Sequence, residues 1–256
     1  MLLTIDAGNT NTVFALFEGR EIIEEWRLST MDNRTVDEYT VWISHLMNLH
    51  GRSPRDVSGA IIASVVPQIV WPLTRLCEDF FNCRPLIVDK AMDLGVDIRI
   101  PNPAEVGADR LVNAVAADTL YDGPLAVVDF GTATTFDIVK DKAYLGGVIC
   151  PGINLSLTAL HQAAAKLPRI AVEPPAHDRV TGKSTLEAMQ SGVFWGYVGM
   201  IEGLAGRLRR EHGNAMRVLA TGGLAPIFKA RTEAIDAVVP DLTLQGLRLL
   251  YERNGH

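Results

Sequence analysis

An internal repeat constrains this chain more than any other feature. Asp6-Ala7-Gly8-Asn9-Thr10-Asn11-Thr12-Val13 aligns without a gap on Asp129-Phe130-Gly131-Thr132-Ala133-Thr134-Thr135-Phe136, 123 residues further on. Both copies read apolar strand, Asp-x-Gly, a run of hydroxyl or amide side chains, then apolar strand. That pattern predicts a duplicated unit with a hairpin turn at the start of each half.

The surrounding periodicities repeat in the same order. Leu2–Asp6, Val13–Phe17 and Ile22–Leu28 read as short strands, punctuated by Gly8 and Gly19. Val36–Leu49 has apolar residues at helical spacing. Ala60–Val66 is a strand, Pro67 to about Phe81 a helix, Leu86–Asp89 a strand and Val106–Leu120 a helix. The pattern then restarts with strands at Leu125–Asp129, Thr134–Val139 and Tyr144–Ile149. Helices at Ile153–Lys166 and Leu186–Arg210, a strand at Met216–Ala220 ending in Thr221-Gly222-Gly223, and a further helix follow. Ile235–Val239 and a helix near Leu242–Glu252 close the chain. This predicts two α/β domains, residues 1–121 and 122–256, with the hinge near Asp122-Gly123-Pro124.

Charge and composition narrow the partners. The chain has 256 residues, 24 basic and 30 acidic, for a net charge of −6. A phosphate-backbone binder normally carries a basic surplus, so nucleic acid is not an expected partner. Apolar residues make up 48%, enough for a sizeable core, yet no apolar run approaches a membrane span. The N-terminus meets Asp6 at once and does not read as a secretory signal. Three cysteines, Cys77, Cys83 and Cys150, give no disulfide framework and point to a reducing cytoplasm.

The usual phosphate loops are missing. Gly182-Lys183-Ser184 looks like the end of a P-loop, but the required upstream glycine is replaced by His177. Thr181–Ser184 reads instead as a turn opening the next helix. No G-x-G-x-x-G follows the first strand. The two Asp-x-Gly turns remain. Glycine lets backbone approach a ligand, and the Asn and Thr side chains supply donors. Asp6 and Asp129 would repel a bare phosphate, so the turns predict magnesium with a nucleotide. A lone Asp at such a turn is more simply a cap; two copies at matching places favour the ligand. Gly107-Ala108-Asp109-Arg110 lies at a helix entry, where Asp109 complements the macrodipole or acts as a base beside an anion clamp. Gly146-Gly147 reads as the close of a strand, and Gly222-Gly223 as a strand-to-helix turn or a backbone surface for a purine. The six histidines form no H-E-x-x-H pair, and Cys77 and Cys83 lack zinc spacing.

Taken together, these residues resemble the type III pantothenate kinases of the actin-like superfamily, which also holds sugar and acetate kinases and heat-shock ATPases. The marks run end to end: the Asp6–Thr10 turn, Ser64-Val65-Val66-Pro67, Asn102-Pro103, Val106–Arg110, the Asp129–Thr135 turn, Gly146-Gly147, Pro151-Gly152 and Thr221-Gly222-Gly223. The resemblance implies duplicated actin-like (ribonuclease H-like) domains flanking an ATP cleft. It implies transfer of the γ-phosphoryl of ATP to the primary hydroxyl of pantothenate, the first step towards coenzyme A. On that resemblance Asp6, Ala7, Gly8, Asn9, Thr10, Asn11, Thr12 and Val13 form the first phosphate loop, with Asp6 near magnesium. Gly107, Ala108, Asp109 and Arg110 bind pantothenate, with Asp109 the proton acceptor. Asp129 matches a monovalent-cation ligand for potassium or ammonium, and Thr132 an ATP contact. Thr185 matches a substrate-side threonine supplied across a dimer interface. The family is cytoplasmic and typically homodimeric. Some members carry a tyrosine just before the Gly-x-Asp-Arg motif, and residues 97–105 contain none.

Two other readings stay open on the sequence. One is a related kinase with another small alcohol or an acylated amino sugar as acceptor. The other is a regulator that keeps the fold and binds nucleotide or pantothenate, although a binding module needs no base at Asp109.

Overall fold

A computed structural model describes residues 1–164, 167–176 and 179–255. The chain divides into two compact units. The first comprises residues 1–97, 101–119 and 241–256, the second 98–100 and 120–240.

The first unit is built on a five-stranded sheet. Its strands are β1 (Leu2–Ala7), β2 (Asn11–Glu18), β3 (Glu21–Ser29), β4 (Gly59–Ser64) and β5 (Leu86–Ile87), in the order β3-β2-β1-β4-β5. The first three form an antiparallel meander, and β4 and β5 join parallel to β1. Helix α1 (Val36–Leu49) crosses between β3 and β4, and α2 (Pro67–Arg75) between β4 and β5. The start of α1 is set locally: Thr35 Oγ1 accepts from Glu38 N at 3.2 Å, and Glu38 Oε2 accepts from Thr35 N at 2.8 Å. One sheet face buries Leu3, Ile5, Phe14, Leu16 and Ile62 against Tyr39, Ile43 and Met47 of α1. The helix expected from Pro67 to Phe81 is α2 followed by a π turn over Leu76–Phe80.

The second unit repeats the plan. Its strands are β6 (Asp97–Ile98), β7 (Leu125–Phe130), β8 (Ala133–Lys140), β9 (Ala143–Pro151), β10 (Arg217–Thr221) and β11 (Ala237–Val238), in the order β11-β10-β7-β8-β9-β6. Again three antiparallel strands are followed by two parallel ones. Helices α4 (Ile153–Ala163) and α5 (Thr185–His212) fill the place of α1, and α6 (Ala225–Lys229) that of α2. The expected end of α4 at Lys166 lies outside the described residues.

The remaining helices are α3 (Ala108–Leu120) and α7 (Leu242–Asn254). The sequence division at residue 121 differs from the observed units in α7 and in residues 98–100, which carry the end of β6 and group with the second unit. Helix α7 groups with the first unit, packing on β1 and β4. Gly246 lets α7 also approach α3, because a β-carbon there would collide with the Val112 carbonyl.

The repeat itself needs one correction. β1 and β7 are 123 residues apart, but β2 and β8, and β3 and β9, are 122 apart. Asp6 pairs with Val13, whereas Asp129 pairs with Thr135 rather than Phe136. The first hairpin turn therefore holds one more residue than the second, and the ungapped match slips at the turn. Beyond it the copies agree even in their irregularity, with bulges at Leu16/Phe17 and Ile138/Val139. Gly146 and Gly147 lie inside β9 beside that bulge rather than at its end, with Gly146 at φ 106°.

Candidate active site

The first turn closes through Gly8 N donating to Asn11 O at 3.0 Å. A residue not expected from the sequence braces it: Thr30 Oγ1 donates to Gly8 O at 2.7 Å and lies 2.9 Å from Thr12 Oγ1. Thr12 is fully buried, while Asn9, Thr10 and Asn11 are exposed and Asp6 partly so. The turn thus presents its polar tip outward on a fixed base. Thr30 follows β3, 22 residues from Gly8, and only the sheet register reveals its role.

The second turn is tighter. Gly131 N donates to Ala133 O at 3.0 Å. Gly152 occupies the place of Thr30, one residue past the meander. A β-carbon there would collide with Thr132 O, so the shorter turn requires glycine at 152. Gly222 is similarly fixed, with φ 88° and a β-carbon position 2.7 Å from Phe130 O. The Thr221-Gly222-Gly223 turn is therefore pressed against the end of β7, beside Asp129, which pairs with Thr221.

The structure joins three sequence motifs of the first unit. Val65 N donates to Ala7 O at 3.1 Å, linking the Ser64–Pro67 segment to the end of β1. A β-carbon at Gly107 would lie 3.6 Å from Val65 Cγ1 and 2.6 Å from Asp109 Oδ1. Ala7, Val65, Gly107 and Asp109 thus form one continuous cluster. Helix α3 begins at Ala108, two residues later than expected, after a 3-10 turn over Pro103–Glu105. Asp109 sits in its first turn, where Oδ1 accepts from Arg110 N at 2.8 Å. Burial pushes the Asp109 carboxyl above the usual range, opposed by the Arg110 N–H and guanidinium. A carboxylate so placed is more basic than a free one.

Thr185 belongs to the second unit. It is exposed at the first position of α5, after Ser184, whose Oγ accepts from Glu187 N at 3.2 Å. Ser184 thus caps the helix that the preceding turn is expected to open.

The sequence profile described as type III pantothenate kinase matches residues 2–207. The chain belongs to the type III pantothenate kinase family. A relative named type III pantothenate kinase from Paramagnetospirillum magneticum is 57% identical over 100% of this chain and 98% of its own. One of the same name from Caulobacter vibrioides is 52% identical over 99% and 98%. Solved structures share the duplicated actin-like fold at low identity. A Sinorhizobium meliloti protein described as a 2-dehydro-3-deoxygalactonokinase matches with TM-score 0.60 at 12% identity, over 98% of this chain and 96% of its own. The ethanolamine utilization protein EutJ from Carboxydothermus hydrogenoformans matches with TM-score 0.54 at 13% identity, over 97% and 89%. Membership makes this family member a kinase, with ATP as co-substrate.

Proposed function

We propose that this chain transfers the γ-phosphoryl group of ATP to the primary hydroxyl of pantothenate, with Asp109 as the proton acceptor. The observation that carries the reading is the Ala7–Val65–Gly107–Asp109 cluster, which links a half-buried carboxylate to the end of β1. Gly107, Ala108 and Arg110 form the rest of the acceptor-binding segment. Arg110 supplies a cation for the pantothenate carboxylate.

Asp6 through Val13 form one phosphate loop, and Thr132 contacts ATP from the second turn. The first unit then carries the phosphate loop and acceptor motif, the second the other turn and the Gly222-Gly223 surface for adenosine. Asp6 offers a hard oxygen at the end of β1, which suits magnesium completed by phosphate oxygens and water. Asp129 offers a carboxylate with Thr135 and Thr221 as its cross-strand neighbours, hard oxygen groups suited to potassium or ammonium. Bound there, the cations neutralise charge that develops on the phosphoryl oxygens. Asp109 orients the attacking hydroxyl and takes its proton late in the transfer.

The active form in this reading is a homodimer. Gly192, Gly196, Gly199, Gly203 and Gly206 recur along α5 at alternating spacings of four and three, with Thr185 in the same column as Gly192, Gly199 and Gly206. A β-carbon at the first four would meet nothing within 4 Å. Each glycine costs a helix about 0.5–1 kcal/mol relative to alanine. Close approach of a second helix gives such a stripe a purpose and would present Thr185 to the partner. A cytoplasmic location accords with three free thiols at Cys77, Cys83 and Cys150. No described helix is long and apolar enough to cross a membrane.

The direct test incubates the purified protein with pantothenate, ATP and magnesium in potassium or sodium buffer. Mass spectrometry should find phosphopantothenate in potassium. Folded protein that binds ATP yet yields no product in potassium or ammonium would refute the reading.

A further inference from the structure

The two meanders share one backbone plan but differ in chemistry on one sheet face. Where the first copy has Val13, Ala15 and Ile22, the second has Thr135, Asp137 and Tyr144, each 122 residues later in the matched register. The first trio belongs to an apolar cluster with Leu2, Phe17 and Leu244. The second forms a hydrogen-bonded relay. Tyr144 Oη donates to Asp137 Oδ1 at 2.8 Å, and Thr135 Oγ1 donates to Asp137 Oδ2 at 3.0 Å. Asp137 is 0% exposed and Tyr144 1%.

A buried carboxylate is costly to desolvate and needs a reason. The fold does not supply one, because the first copy builds the same strands and the same bulge with apolar residues. The site does. Thr135 stands directly opposite Asp129 across the β7–β8 ladder, and such pairs have β-carbons about 4.5–5.5 Å apart. A hydroxyl beside a carboxylate ordinarily donates to it. Here the Thr135 proton is committed to Asp137, so its oxygen lone pairs are what it offers on the Asp129 side. Gly147, opposite Asp137, adds no side chain over the carboxylate.

We propose that Asp137, fixed by Tyr144, holds the Thr135 hydroxyl proton and thereby presents the Thr135 oxygen as a second hard-oxygen group for the monovalent cation at Asp129. Asp137 and Tyr144 are then positioning residues that act through Thr135. This inference rests on the assignment of the cation to Asp129.

The test compares Tyr144→Phe, Asp137→Asn, the triple variant Thr135→Val/Asp137→Ala/Tyr144→Ile and Asp129→Asn with the parent protein. Two quantities are read. One is the potassium concentration that half-saturates the rise in melting temperature, at constant ionic strength with magnesium and a non-hydrolysable ATP analogue. The other is the potassium concentration for half-maximal activity, beside KM for pantothenate. Loss of an outer-shell partner typically weakens metal affinity about 10–100-fold. Tyr144→Phe and Asp137→Asn should raise both potassium midpoints about tenfold, with KM for pantothenate unchanged. The triple variant, which restores the first copy's residues, should fold and lose the potassium-specific shift. Unchanged midpoints in folded Tyr144→Phe and the triple variant, with a changed midpoint in Asp129→Asn, would overturn the relay and leave the Asp129 assignment standing. Unchanged midpoints in Asp129→Asn would overturn that assignment and the relay with it.

Discussion

The position a β-carbon would take on Gly107 lies 2.6 Å from Asp109 Oδ1. The glycine is therefore the space into which the carboxylate folds, and the two residues act as one unit. Gly107→Ala should displace the carboxylate without unfolding α3. Misplacing a reacting group by about 1 Å can cost about a hundredfold in rate. The expected outcome is kcat lower by about 10- to 100-fold with melting temperature nearly unchanged, read by steady-state kinetics and calorimetry.

Asp109→Asn keeps the shape and removes the charge. General-base catalysis contributes about 10²–10⁴-fold, so turnover should fall by that order while ATP affinity persists. The variant should melt no lower than the parent at neutral pH, since burial disfavours the ionised carboxyl it replaces. Turnover at the parental rate would remove Asp109 from the proton-acceptor role.

The pH dependence has a definite sign. The folded-state pKa of Asp109 is raised above 3.8, chiefly by desolvation. As pH rises from that ordinary value through the raised one, the folded state holds more protons than the unfolded, and stability from this group is lost. The melting-temperature advantage of Asp109→Asn should grow across this window and level off above it. Activity runs the other way: log kcat/KM of the parent should drop as pH falls through the raised pKa, and the limb should vanish in Asp109→Asn.

Gly222 tests the second turn. Its φ of 88° and the position of Phe130 O, 2.7 Å from a β-carbon, leave no room for a side chain. Gly222→Ala should destabilise the fold by about 1–3 kcal/mol in urea denaturation and raise KM for ATP more than KM for pantothenate.

The glycine stripe of α5 gives a prediction that discriminates by sign. On a free helix face, Gly199→Ala should stabilise by about 0.5–1 kcal/mol. On a face packed against a second copy it should weaken association instead. We expect Gly199→Leu to shift the protein to monomer in sedimentation velocity, and pantothenate phosphorylation to fall with it.

Sequence periodicity determined the succession of strands and helices, the duplication and the two Asp-x-Gly turns, because alternation, helical spacing and turn residues are local properties. It placed Asp109 at a helix entry and a turn before α5 for the same reason. Tertiary structure decided the rest. The one-residue difference between the turns appears only in strand pairing, since an ungapped match cannot register a slip that the turn absorbs. Thr30 under Gly8, Val65 beside Gly107 and Asp137 beneath Thr135 all depend on sheet register or on contacts distant in sequence. Helix α7 joined the first unit by packing on β1 and β4, with Gly246 making room for the Val112 carbonyl, 134 residues earlier in the chain. Such pairings are settled by which faces can be buried together, and no local pattern encodes them.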